Sequence, residues 1–358
     1  MNKNTSIYLD ILRAFSALGV LLSHVSMPFF SDLNICSLYF GHRMVVVFFV
    51  LSGFLIAYTT ELKHKNFNGY LVDRISRLYS VIIPALILTC IVDEIGVALH
   101  PDFYSQFNIT GSLAYYFKYV ITFLNLHEIW FFSAKPPTNG PFWSLSYEFW
   151  YYILFGIAMF IQGYRKYIAL LFICLITGYK ILLLLPVWLL GVLCYHASKK
   201  TIPQSVAIGG YVLSFVVLAG IISGFIHSVF PTFDLMDKHF YYSFDFLNDF
   251  VLGIVLLIHI LCINSISFNL LSDKSFFVQK IKWFSSITFS LYLFHFPLLV
   301  FFASFGFYNK SSEIQVLSVV LVIIVLIVVI SNFTEQKRFL FKEYFGKIYY
   351  KMLPNKYH

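Results

Sequence analysis

Asp10 to His24 reads DILRAFSALGVLLSH. An acid, an arginine and a histidine lie here inside an apolar run long enough to cross a bilayer, and this decides how the rest of the chain is read. Ionisable groups in hydrocarbon are costly, so those that persist there are functional candidates. Arg13 and His24 are eleven residues apart, three helical turns and roughly 16 Å of axial rise, and share one helix face. A plainer relation is open to Asp10 and Arg13, which at i and i+3 are spaced to pair with each other at the interface. A solitary membrane histidine reads as a hydrogen-bonded packing group; the in-phase arginine moves His24 toward chemistry. Burial favours the uncharged imidazole, the form that accepts a proton.

Outside this stretch the composition is that of an integral membrane protein. Of 358 residues 59% are hydrophobic, 20% aromatic and only 12% charged, with a mean hydropathy of +0.79. That leaves no room for a sizeable soluble domain, and one polytopic domain with short loops is expected. The net charge of +8 would suit nucleic acid, but the basic residues lie between apolar runs and in the tail, so the lipid bilayer is the expected partner. Cys36, Cys90, Cys174, Cys194 and Cys262 are scattered without a CxxC pair and read as free structural thiols. The histidines lack metal-ligand spacing, and GxSxG, Walker and GxGxxG patterns are absent. No small-residue cleavage site follows the first run, so its helix is expected to be retained.

Apolar runs near 7–28, 42–60, 77–98, 142–161, 204–229, 246–264, 284–306 and 313–333, with 166–197 divided in two, predict an all-α protein of about ten transmembrane helices. The division at 166–197 requires a tight turn at Gly178, Tyr179 and Lys180. Residues 112–126 are aromatic but short, and fit an interfacial or re-entrant segment. A cytoplasmic N-terminus places Lys3, Arg13, Lys63, Lys65, Arg74, Arg77, Arg165, Lys166, Lys199, Lys200, Lys274, Lys280, Lys282 and the basic tail inside. It places Arg43, Lys118, Lys135, Lys180, Lys238 and Lys310 outside. This asymmetry predicts both termini in the cytoplasm, with a membrane domain over 1–336 and a basic tail over 337–358.

Further candidates fall at helix ends. In NGPFWSLSYEFWYY, Asn139 to Tyr152, a Gly-Pro loop enters a helix that carries Trp143 in its first turn and Glu148 two turns in. Counted from the outer boundary, Glu148 reaches the depth of His24, where a carboxylate can orient an imidazole; it is equally spaced to be a packing group or a partner for Arg43. Arg43 opens helix 2 and is placed either to snorkel to headgroups or to contact substrate. Ser52 and Gly53 read as close-packing residues. Arg74 and Arg77, at i and i+3 in YLVDRISRLYSVIIP between helices 2 and 3, suit phosphate recognition and also positive-inside anchoring. His295 falls in mid-helix beside Pro297, which is expected to kink the helix and free carbonyls, so structural hydrogen bonding and substrate contact both stand open. His259 reads as packing, and Asp93 and Glu94 as the boundary of helix 3.

LDILRAFSALGVLLSH, FFVLSGFLI, DRISRLYSVIIP, NGPFWSLSYEFWYY and SLYLFHFPLL, in this order, resemble the membrane acyltransferase type 3 family from helix 1 to helix 9. The resemblance implies that His24 is the critical catalytic histidine and that Arg13, eleven positions earlier, is essential. It implies transfer of an acetyl or related acyl group from cytoplasmic acyl-CoA to an envelope glycan or lipid-linked saccharide across the inner membrane of a bacterium. Acetyl-CoA would be a cosubstrate, with no permanently bound cofactor. Arg74 and Arg77 would contact its phosphates, and Glu148 would join the outer catalytic group. One departure is that relatives often read G-V-D before the FF pair, where this chain has Met44, Val45 and Val46. The competing class is a transporter or flippase of lipid-linked glycan, in which the same charges would line a path without making a bond.

Overall fold

The computed structural model describes residues 3–63, 66–109, 111–226, 228–232, 240–266 and 275–352. Lys65, Lys238, Lys274 and the end of the basic tail lie outside the described residues. The helices are α1 (Lys3–Val25), α2 (Leu38–Lys63), α3 (Phe67–Leu99), the single-turn α4 (Pro101–Tyr104), α5 (Leu113–Phe123), α6 (Phe142–Phe160) and α7 (Tyr164–Thr177). There follow α8 (Tyr179–Ala197), α9 (Gln204–Ser223), α10 (Phe246–Ser265), α11 (Phe276–Ser285), α12 (Thr288–Ser304), α13 (Glu313–Phe333) and α14 (Arg338–Met352). Among the described residues there is no strand.

Among the described residues, seven helices are long and apolar enough to cross a membrane: α1, α2, α3, α8, α9, α10 and the run beginning with α13. The pair α11 and α12, bent by 58°, makes an eighth. α6 and α7 coincide with two further predicted spans but fall outside this set. α7 has 14 residues, and α6 carries serines, tyrosines, tryptophans and Glu148 whose side chains are mostly turned inward. Bilayer-type surfaces are plain elsewhere: Leu213 on α9 and Leu321 on α13 are 67% and 62% exposed, apolar faces that only lipid would cover.

Three local features position the interior. α3 begins ten residues before the predicted span, because Asn66 caps it by accepting from Gly69 N at 2.8 Å. Arg74 and Arg77 therefore stand on the helix and not in a loop before it. α2 and α8 meet backbone to backbone: a Cβ on Gly53 would lie 2.1 Å from the Trp188 carbonyl oxygen, and one on Gly191 2.0 Å from that of Val50. Glycine in FFVLSGF thus serves close packing, as its spacing suggested. The turn between α7 and α8 falls at Gly178 with φ 76°, a conformation glycine adopts at no steric cost.

The segment between α5 and α6 folds into the protein. Asn125, His127, Glu128, Thr138 and Asn139 are all wholly buried. Lys180, expected at the outer face, is wholly buried as well; its Nζ donates to Glu128 at 3.2 Å and to the Phe132 carbonyl at 2.5 Å. Burial pushes the Glu128 carboxyl above the ordinary range, opposed by Lys135 and Lys180. Asp93 is no boundary marker. It is buried in α3 and accepts from Thr138 at 2.6 and 2.7 Å and from Tyr115 and Tyr119 at 3.1 Å. Asn139 donates to Thr89 at 2.9 Å and to the Leu293 carbonyl at 3.0 Å. That carbonyl is the one Pro297 leaves without its i+4 amide, so the proline exposes an acceptor as predicted, while the sharp bend sits earlier, between α11 and α12.

Candidate functional site: an arginine cavity and a histidine pair

Arg13 opens from α1 into a cavity of about 730 Å³. Phe48, Ser52 and Leu55 of α2, Arg77 of α3, Ser144, Glu148 and Tyr152 of α6, and Thr288 and Tyr292 of α12 line it. Arg13 has Asp10 at 3.9 Å, with Glu335 and Glu148 also within electrostatic range, so the short-range pairing read from their spacing is loose. Arg77 has Tyr152, Glu148, Glu335 and Asp73 within electrostatic range and lines the same cavity. Two guanidiniums in one largely apolar cavity are the donor chemistry that suits an anion.

Glu148 belongs to this cavity and is not the partner of His24. It accepts from Ser52 Oγ at 2.8 Å and, more closely, from the Tyr152 hydroxyl. Counting residues from the membrane boundary failed because the buried segment before α6 carries the start of that helix inward, leaving Glu148 beside Ser52 at the middle of α2. Ser52 also accepts from Trp188 Nε1 at 3.2 Å. Glu335, which no motif marked, is nine-tenths buried just past α13 and accepts from Ser290 N and Oγ at 2.8 and 2.9 Å. In sequence it looked like an ordinary charge after the last apolar run.

The arginine pair of α3 is divided. Arg77 enters the cavity. Arg74, 3% exposed, holds Asp73 at 2.7 Å and Thr59 at 3.2 Å and lies over the Tyr70 ring at 5.8 Å. Asp73 also accepts from Lys342 of α14 at 2.9 Å, which ties Arg74 to the C-terminal helix.

At the other end of α1, His24 Nδ1 lies 2.7 Å from His295 Nε2. The rings stack at 5.0 Å and 22°, and Phe296 meets His24 edge-on at 4.9 Å. His295 is wholly buried and its Nδ1 donates to the Leu291 carbonyl at 2.8 Å. Its ring neighbours that of Tyr292 at 6.4 Å, and Tyr292 in turn lines the arginine cavity and shares a 2.7 Å hydrogen bond with Ser144. The histidine pair therefore lies one side chain beyond the cavity wall.

Arg43 and Trp143 stand apart from this pair. Gly41 faces Ser23 of α1 closely enough that a Cβ would lie 2.1 Å from its hydroxyl oxygen. Arg43, two residues and about 200° further round the helix, points the other way, donates to the Ile222 carbonyl at 3.3 Å, and lines a second cavity with Asp245, Asn248 and Asp249. Trp143 is buried between His42, stacked at 5.9 Å, and Tyr242, stacked at 4.4 Å and 5°. His42 is hydrogen-bonded to Asp249 at 2.9 Å, a contact across a sequence separation of 207 that no local pattern announced. His259 is a packing group, as read, held between Tyr8 at 2.5 Å and Ser214 at 2.9 Å.

A family model described as an acyltransferase domain matches residues 6–333. Nodulation protein 10 of Rhizobium leguminosarum bv. viciae is 26% identical over 175 residues, 44% of this chain and 45% of that protein. O-acetyltransferase OatA of Staphylococcus aureus (strain NCTC 8325 / PS 47) is 26% identical over 157 residues, 42% of this chain and 24% of OatA. The chain spans less than half the length of these curated relatives. No solved structure matches the chain. With a match running from the first turns of α1 to the end of α13, the chain belongs to the acyltransferase family.

Proposed function

We propose that the chain is a multi-pass membrane O-acyltransferase that takes an acyl group, acetyl by preference, from cytoplasmic acyl-CoA and delivers it to a hydroxyl of an envelope glycan outside. In this reading ten helices cross a bacterial inner membrane, α6 and α7 among them, and both termini are cytoplasmic. The observation that carries it is the succession along α1: open guanidiniums of Arg13 and Arg77 on one cavity, then Tyr292, then the His24–His295 pair. The name of the OatA relative supports O-acetylation as the reaction.

Arg77 and Arg13 hold the anionic parts of the donor, and the cavity leads its thioester toward Tyr292. His24 Nε2 removes the proton of the acceptor hydroxyl as its oxygen attacks the acyl carbon. The C–S bond breaks, the ester C–O bond forms, and the proton on His24 passes to the departing thiolate. Of the two oxyanion donors the sequence left open, we assign the role to Tyr292, which lines the cavity next to the histidine pair, over Arg43 at the second cavity. Glu148 offsets the charge of the two arginines and holds Ser52 and Tyr152 in the cavity wall.

The test supplies labelled acetyl-CoA to purified protein with isolated envelope glycan. Label is expected on the glycan with the native chain and not with His24→Ala. Transfer that survives His24→Ala removes the assigned base, and no transfer from any acyl donor turns the reading toward a transporter or flippase.

A further inference from the structure

A general base at Nε2 of His24 needs that nitrogen bare, so the tautomer of His24 matters to the reaction as much as its position. We propose that His295 is a positioning residue which fixes this tautomer through a hydrogen-bond chain anchored on the Leu291 carbonyl. The proposal rests on the acyltransferase reading above.

The chain has one polarity. A carbonyl oxygen only accepts, so the 2.8 Å contact to Leu291 requires the proton of His295 on Nδ1. In the uncharged ring His295 Nε2 is then a bare acceptor. The 2.7 Å contact to His24 Nδ1 is consequently filled by a proton on His24 Nδ1, which leaves the lone pair of His24 on Nε2. The opposite assignment would set the bare Nδ1 of His295 against the Leu291 oxygen, lone pair against lone pair. Leu291 lies one helical turn before His295, so α12 itself orients the ring. The stacked contact at 5.0 Å and the Phe296 edge at 4.9 Å restrain the His24 ring from turning over. When Nε2 takes a proton, the bond from His24 Nδ1 to His295 becomes charge-assisted and strengthens, so the pair favours the protonated intermediate without His295 touching substrate.

The experiment uses the full chain in nanodiscs with ¹⁵N-labelled histidine, as native protein, His295→Leu and His295→Gln, with His24→Ala to assign the signal. In the native protein His24 is expected to show a pyridine-type Nε2 and a proton on Nδ1. Glutamine sets its amide oxygen where His295 Nε2 stood, so His295→Gln is expected to keep that pattern, with kcat within about tenfold of native. His295→Leu offers no acceptor; His24 is expected to populate the Nε2–H form, and kcat to fall roughly 10²- to 10⁴-fold, with KM for acetyl-CoA unchanged. A native His24 protonated on Nε2, native kcat in His295→Leu, or a folded His295→Gln as inactive as His295→Leu overturns the proposal. Absence of acyl transfer by the native chain would fail the functional reading alone, because the spectrum reports the tautomer without turnover.

Discussion

Arg77 lines the arginine cavity, whereas Arg74, three residues earlier, is enclosed by Asp73, Thr59 and Tyr70. Their spacing presents them as an equivalent pair, and their surroundings give them different work. Charge-assisted hydrogen bonds contribute about 1.5–3 kcal/mol. Arg77→Ala should therefore raise KM for acetyl-CoA roughly 10- to 150-fold with folding intact. Arg74→Ala leaves Asp73 without its buried partner and should lower the thermal midpoint while KM moves little. Steady-state kinetics and a melting curve on both variants separate the roles, and equal KM effects would reunite the pair. His24 and Arg13 were legible as candidates because charges in hydrocarbon are rare enough to stand out. His295 was legible as a polar group beside a proline, but not as the partner of His24, since 271 residues separate them.

At the scale of elements, α2 carries more of the site than its composition suggests. Gly53 brings it against α8, and the same contact puts Ser52 between Glu148 and Trp188 Nε1. Gly53→Val cannot be accommodated by rotating a side chain, because the atom it meets is the Trp188 carbonyl oxygen. The helices must separate, at a cost typical of overpacking, about 1–3 kcal/mol. A lower thermal midpoint is expected, with KM for acetyl-CoA rising because Ser52 and Glu148 lose their places in the cavity wall. An unchanged midpoint would show that this interface gives way freely. Element positions were readable from apolar runs to within a turn or two, with two instructive failures. α3 extends past its apolar run because the Asn66 cap starts it early and Asp73, Arg74 and Arg77 are carried on the turns that follow, and α6 starts deeper than its sequence implies because the segment before it is buried.

For the whole molecule, the inference is a protein with a donor mouth on the side of its termini and an acceptor mouth on the other. Contacts between helix ends agree on which ends share a side: Lys199 with Glu61, Asn264 with Ser198 and Lys342 with Asp73 on one, Ser311 with Asp32 and His42 with Asp249 on the other. In a chain whose native cysteines are replaced, Ser311→Cys is expected to react with a membrane-impermeant maleimide on intact cells. Lys200→Cys should react only after the membrane is opened. The reverse pattern would invert the direction of transfer.

The sequence by itself determined that the chain is helical and membrane-borne, and that Arg13 and His24 share a helix face, because hydropathy and the 3.6-residue period are local properties. Tertiary structure alone decided which partners these groups have: Glu148 with Ser52 and Tyr152, His24 with His295, Arg43 at a second cavity. Inside a bilayer the sequence distance between helices carries no information about depth or neighbour. Those follow from where a buried segment sets a helix start and where glycines let two backbones meet.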